Sequence, residues 1–197
     1  MTNKLICLSG MCGAGKSEVS DYLMKKKKFG FVRFGQIVMD KIIDLAKEPN
    51  ESLEREIRES FRKELGMAAF AILNIPKFDK LLVDGDVVGD GLMSWEEYVE
   101  LKKKYKDDII VIAVYAPPKI RYSRLESRSD QHQGDKSKRF RDFTKEEAAS
   151  RDRAEIENLH KAGPIAMADY TLINTLSLKE LHKQIDVIIE EIYDEKK

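Results

Sequence analysis

Apolar positions along the chain fall into short runs separated by longer stretches of helical spacing, which predicts strands divided by helices. "KLICLS" reads as a short buried strand. "KSEVSDYLMKKKK" is helical, with Val19, Tyr22 and Leu23 on one face and Gly30 just beyond as its stop. "FVRF" is a second strand. From Gln36 to about Ile75 the pattern holds two or three helices, broken near "EPNES" at Pro49 and Asn50. "KLLVDGD" is expected to be the third strand, closed by a glycine turn. "SWEEYVELKKKY" is a helix with Ser94 and Glu97 spaced as a capping box, and "DIIVIAVYA" is the fourth strand. A helix then starts at "PPKIRYSRLESR", where two prolines suit the first turn. Residues 129–143 are polar and aperiodic. Thr144 and Glu147 open another capped helix, "DYTLIN" is a fifth strand, and "SLKELHKQIDVIIEEIY" closes the chain as an amphipathic helix.

Strands separated by helices imply right-handed crossovers and a parallel sheet. The expected fold is α/β: a doubly wound, five-stranded parallel sheet with helices on both faces. The 197 residues suit one domain. No internal repeat is visible, and 129–143 reads as a loop and not as a boundary.

Charge narrows the function classes. Lys plus Arg and Asp plus Glu both number 35, so no net charge drives the chain toward nucleic acid or an anionic membrane. The first apolar run is too short for a signal peptide or a membrane span. Cys7 and Cys12 show neither a disulfide framework nor metal-ligand spacing, so a cytoplasmic setting is expected.

The turn after the first strand carries the chemistry. Gly10, four residues, then Gly15, Lys16 and Ser17 form G-x-x-x-x-G-K-S between a strand and a helix. The glycines allow successive N–H groups to face phosphate oxygens. The helix starting at Lys16 adds its N-terminal dipole. Lys16 reaches β- and γ-phosphates, and the Ser17 hydroxyl suits Mg²⁺. Cys12 is filler in this loop. The nucleotide-binding set is therefore Gly10, Met11, Cys12, Gly13, Ala14, Gly15, Lys16, Ser17 and Glu18.

A phosphate loop does not by itself name a reaction. The expected third strand ends Asp-Gly and not in the Asp-Glu of many motor and transporter ATPases, and the lack of Asn-Lys-x-Asp after the fourth argues against a GTPase. Residues 119–153 carry eleven positive and seven negative side chains in a neutral protein. An arginine-bearing flap opposite a phosphate loop supplies cations to the moving phosphate and excludes water.

"GMCGAGKSE", "RFGQIVMDKI", "KELGMAAFAILNIPK", "SWEEYVELKKKY", "VIAVYAPPKIRYSRLESRSD", "SRDRAEI" and "IAMADYTLIN", in this order, cover nearly the whole chain. Together they resemble the P-loop nucleotide kinases, within them a mainly archaeal family related to dephospho-coenzyme-A kinase and adenylate kinase. The resemblance implies a single kinase domain over 1–197, with a helical acceptor lobe at 35–80 and a lid at 125–153. It implies ATP and Mg²⁺, with Lys16 and Ser17 serving phosphates and metal and Asp84 holding Mg²⁺ through water. Arg124 and Arg128 would open the lid, the first stacking on adenine and the second touching phosphate. Arg151 and Arg153 would be the arginines of the returning lid helix. Asn174 and Thr175 would border the adenine.

Some positions depart from the family. "DGDVVGDG" holds two Asp-Gly pairs, so Asp90 competes with Asp84, which is favoured because it follows three strand residues. Gln36 stands where relatives often carry an acid, and Leu92 and Met93 where they often carry arginine. The lobe retains Arg33, Asp40, Arg55, Arg58 and Arg62, the last three sharing a helix face with Glu51, Glu54 and Glu59 nearby. Trp95 reads as packing, and His132, His160 and His182 have no ligand spacing. The expected activity is Mg²⁺–ATP-dependent phosphoryl transfer to a nucleotide or nucleotide-like acceptor, such as a nucleoside monophosphate or dephospho-coenzyme A. The chain would act as a monomer or homodimer without nucleic acid or membrane. The alternative is an ATP-binding switch that hydrolyses slowly and acts on a protein partner.

Overall fold

A computed structural model describes residues 3–127 and 142–194. Five parallel strands form one sheet: β1 (Leu5–Ser9), β2 (Gly30–Arg33), β3 (Val87–Asp90), β4 (Ile109–Tyr115) and β5 (Tyr170–Ile173), in the order β2-β3-β1-β4-β5. The central strand β1 is buried on both faces, which is why it reads as an unbroken apolar run. Leu5 and Cys7 face one core, with Phe34, Phe78, Leu101 and Val111. Ile6 and Leu8 face the other, with Val19, Leu23, Val114, Leu172 and Ile185.

Helix α1 (Lys16–Lys27) follows the phosphate loop. The lobe is α2 (Gln36–Asp44), α3 (Glu51–Leu65) and α4 (Ala69–Leu82). Then come α5 (Trp95–Tyr105), α6 (Pro118–Glu126), α7 (Lys145–Leu159), α8 (Ala162–Ala166) and α9 (Leu178–Asp194). Both capping boxes form, Ser94 with Glu97 and Thr144 with Glu147. In α9 the stripe Leu181, Ile185, Ile188, Ile189 and Ile192 is buried against the sheet, at about 1.5–3 kcal/mol per side chain. At the free edge of β5 the Gln184 amide accepts from the Ile173 N–H at 2.9 Å and donates to the Ile173 carbonyl at 3.0 Å.

Two expectations are corrected. Gly30 does not stop α1: Lys28 adopts the left-handed cap (φ 62°), and Gly30 opens β2, where a side chain would press on Val87 and Leu81. The third strand is not "KLLVDGD". Helix α4 runs on through Pro76, which is exposed, and Leu81 and Leu82 are its last turn, packed on the core beside buried Phe78. An apolar run in a last helical turn looks like a short strand in sequence. The strand is the next run, "VVGD", whose Gly89 allows Phe34, Cys7 and Phe78 to approach.

Candidate functional site

Register fixes which end of each strand faces the phosphate loop. Val87 pairs with Leu5 and Asp90 with Leu8, so Asp90 reaches the end of the sheet where the loop begins. Asp84 is exposed in the turn before β3, toward the opposite end of the sheet. By position it is Asp90, and not Asp84, that stands at the loop end of the sheet. It is buried, and its carboxylate faces the Arg33 guanidinium at 3.8 Å.

The loop is held by backbone contacts that only glycine permits. Gly10, Gly13 and Gly15 have φ of 142°, 79° and 104°. A Cβ on Gly10 would fall on the Val114 carbonyl oxygen, one on Gly13 would meet the Arg121 carbonyl oxygen at 2.8 Å, and one on Gly15 would fall on the Asn174 amide. The outer wall is made by residues the resemblance assigns to adenine. Asn174 donates to the Ala14 carbonyl at 2.8 Å, and Arg124 donates to the Asn174 carbonyl at 3.0 Å. Thr175 follows, half-buried, and Glu18 is exposed in the first turn of α1.

Lys16 donates to the carbonyls of Gly10 at 2.7 Å and Met11 at 3.3 Å. Burial, and next the Lys161 ammonium, bring its pKa down to about 8, with Asp90 and Glu155 acting in the other direction. The donor types present, the Ser17 hydroxyl in the first turn of α1 and the Asp90 carboxylate at the end of β3, suit Mg²⁺ bound mainly through phosphates. Among the described residues no cluster of three or more His, Cys, Asp or Glu forms a protein cage.

The returning helix α7 divides its arginines. Arg121 of α6 grips Asp152 with two hydrogen bonds, at 3.0 and 2.5 Å, and donates to the Cys12 carbonyl at 3.0 Å. This ties α7 to the loop. Arg151 lies on the tied side and donates to Glu155 at 3.0 Å, whereas Arg153 is exposed. Arg128 lies outside the described residues.

On the acceptor side, Glu97 caps α5 by accepting from Met93 and Ser94 N–H groups, and burial pushes its pKa up to about 7. Arg62 and Lys161 hold that rise back. Arg62 lies 5.1 Å over the Phe70 ring. Arg55 pairs with Glu59, and Arg58 with Glu51 and Glu54. Lys77 and Gln36 both bond Asp40. Trp95 stacks on Tyr98 at 5.1 Å and packs on Gly163, so it fills a helix junction.

Sequence reasoning missed Lys161, Glu155, Asp152 and the structural use of Arg121. Glu155 and Lys161 flank a helix end six residues apart, a spacing without periodic meaning, and only the left-handed His160 (φ 51°) turns the chain so that they meet. The arginine-rich composition was the available signal, but it could not separate buried ties from free cations.

The AAA domain family matches residues 6–158. A UPF0200 protein of Pyrococcus furiosus is 32% identical over 98% of this chain and 99% of its own. One from Sulfurisphaera tokodaii is 31% identical over 96% and 97%. Among solved structures, a gluconokinase from Sinorhizobium meliloti aligns with TM-score 0.58 at 12% identity, over 100% of this chain and 99% of its own. Shikimate kinase from Acinetobacter baumannii in complex with shikimate aligns with TM-score 0.56 at 17% identity, over 99% and 96%. No helix among the described residues is long and apolar enough to cross a membrane. With the glycine-held phosphate loop, the strand order and these relatives on one page, the chain belongs to the UPF0200 family, an AAA-domain family with the fold of P-loop kinases.

Proposed function

We propose that this protein is a Mg²⁺–ATP-dependent phosphotransferase that moves the γ-phosphoryl group to a nucleotide or nucleotide-like small molecule. The carrying observation is the pairing of Leu8 with Asp90, which sets a buried carboxylate beside Lys16 at the mouth of the helical lobe. In the step, an acceptor oxygen bonds to the γ-phosphorus, the bond from phosphorus to the β–γ bridging oxygen breaks, and ADP leaves. A phosphate acceptor needs no proton removed. A hydroxyl acceptor gives its proton to Asp90. Lys16 balances charge on the β- and γ-oxygens, and bound Mg²⁺ would neutralise more of it, with Ser17 and Asp90 as its protein contacts. Arg124, Asn174 and Thr175 wall the base and the lobe at 35–80 receives the acceptor; residues 128–141 of the lid expected at 125–153 lie outside the described residues. Little covalent work falls on the protein, so positioning and charge carry the rate.

The test is ³²P transfer from labelled ATP to AMP, CMP, UMP, GMP and dephospho-coenzyme A. Label moving to one acceptor, with ADP formed in proportion, supports the reading. Slow ADP formation independent of every acceptor replaces it with the switch. The lobe cations paired with their own carboxylates favour that rival.

A further inference from the structure

Glu155 serves two cations at once. Its Oε1 accepts from Arg151 Nε at 3.0 Å, and its Oε2 from Lys161 Nζ at 2.5 Å. Glu155 is 5% exposed and Lys161 1%. Lys161 also donates its backbone N–H to the Glu155 carbonyl at 3.2 Å, which folds the chain back over the end of α7. One helical turn earlier, Asp152 is bound through Arg121 to the Cys12 carbonyl, so the face bearing both acids is turned to the phosphate loop. The Arg151 guanidinium lies 5.4 Å over the Phe143 ring. Its Nε is used by Glu155, and its two Nη groups bond no protein atom among the described residues.

A buried Lys–Glu pair is a poor stabiliser: an apolar pair of the same shape is commonly as good or better. Its effect here is on geometry. A carboxylate with both oxygens open takes arginine as a two-bond fork and consumes its Nη edge. With Lys161 competing for Oε2, Arg151 meets Glu155 through Nε on Oε1 alone.

We propose that Lys161 is a positioning residue for phosphoryl transfer: by occupying one oxygen of Glu155 it keeps the Nη edge of Arg151 free and aimed at the phosphate loop. This rests on the phosphotransferase reading. Arg151 then meets the transferred phosphate already oriented, which is the condition under which a fixed charge accelerates most.

The experiment compares Lys161→Met, Arg151→Ala, their double variant, and Lys161→Met/Glu155→Gln. Each is followed by steady-state turnover, MgADP titration, and titration of MgADP with aluminium fluoride, a stand-in for the transferred group. Lys161→Met is expected to lower kcat about 30- to 100-fold and to lose the extra affinity that aluminium fluoride confers, with MgADP affinity within about threefold. Adding Arg151→Ala should cost little more, because both lesions remove one interaction. Lys161→Met/Glu155→Gln should regain much of the loss, since a neutral amide no longer captures the guanidinium. It also buries no stranded charge, so it is the variant read if Lys161→Met does not fold. Turnover and fluoride increment both near wild type in Lys161→Met, additive losses with Arg151→Ala, or no recovery in Lys161→Met/Glu155→Gln would each overturn the proposal. A wild-type protein without acceptor turnover, but with a fluoride increment that Lys161→Met abolishes, loses the kinase reading and keeps this one. Absence of both signals in the wild type removes both.

Discussion

The nucleotide side and the acceptor lobe are both crowded with charge, yet they hold it differently. Around the phosphate loop the anchors are backbone atoms and buried side chains: Gly10 lies on the Val114 carbonyl, Asn174 bonds Ala14, and Arg121 bonds Cys12 and buried Asp152. On α3, Arg55 and Arg58 pair with glutamates of their own helix, in partly or largely exposed bridges. Burial makes the first set expensive to disturb, and solvent screening makes the second cheap. The fold thus holds the phosphate loop rigidly and leaves the lobe surface open to substitution.

Lys16→Ala gives the sharpest break. Turnover should fall about 10³-fold while circular dichroism and Tm stay unchanged, because among the described residues the ammonium bonds only the Gly10 and Met11 carbonyls. Near-normal turnover in the folded variant would remove the distinction altogether. With its pKa at about 8, Lys16 also sets a pH dependence. Bound phosphate favours the protonated form, so MgATP affinity should decline as pH rises above about 8, and Lys16→Ala should abolish that decline.

Next comes a paired comparison. Asp90→Asn should lower Mg²⁺-dependent kcat about 10²-fold, whereas exposed Asp84→Asn should leave it within about twofold. The sequence alone predicts the opposite ranking. A larger loss in Asp84→Asn would restore it.

A smaller effect is expected where the two regions meet. Glu97 titrates from about 4.5 unfolded to about 7 folded, so the folded state binds the extra proton. Its contribution is full below pH 4.5 and is lost as pH rises through about 7. Glu97→Gln keeps an acceptor for Met93 and Ser94 and should flatten the stability profile between these limits, by roughly 1–3 kcal/mol. An unchanged slope in chemical denaturation would assign it to other groups. The least effect belongs to the lobe surface. Arg58→Ala should change stability by less than about 1 kcal/mol and leave ATP affinity unaltered, and a tenfold affinity loss would show that α3 reaches the nucleotide.

What the sequence made legible follows the same division. The strand alternation, both capping boxes and the phosphate loop depend on neighbours within a few residues, and the structure has them as expected. The third strand was misplaced by one apolar run, since "LLV" and "VVG" differ in context and not in composition. That single shift puts Asp90, and not Asp84, at the strand end beside the phosphate loop. Arg151 and Arg153 look equivalent in sequence, but two residues of helix turn them apart. Lys161 reads as one lysine among many until the chain reversal at His160 buries it.

The Gln184 amide acts as a substitute strand. An open parallel sheet ends in rows of unused N–H and C=O groups that can recruit another chain. At Ile173 both groups are already taken by one side chain of α9. The helix that packs the sheet therefore also seals this end of its border. A second copy finds no free hydrogen-bonding group at Ile173 on which to continue the sheet. Gln184→Ala would open a docking edge beside the apolar side chains of Ile173, Leu176 and Leu178, all exposed. The same glutamine that anchors α9 thus blunts one end of an open strand edge.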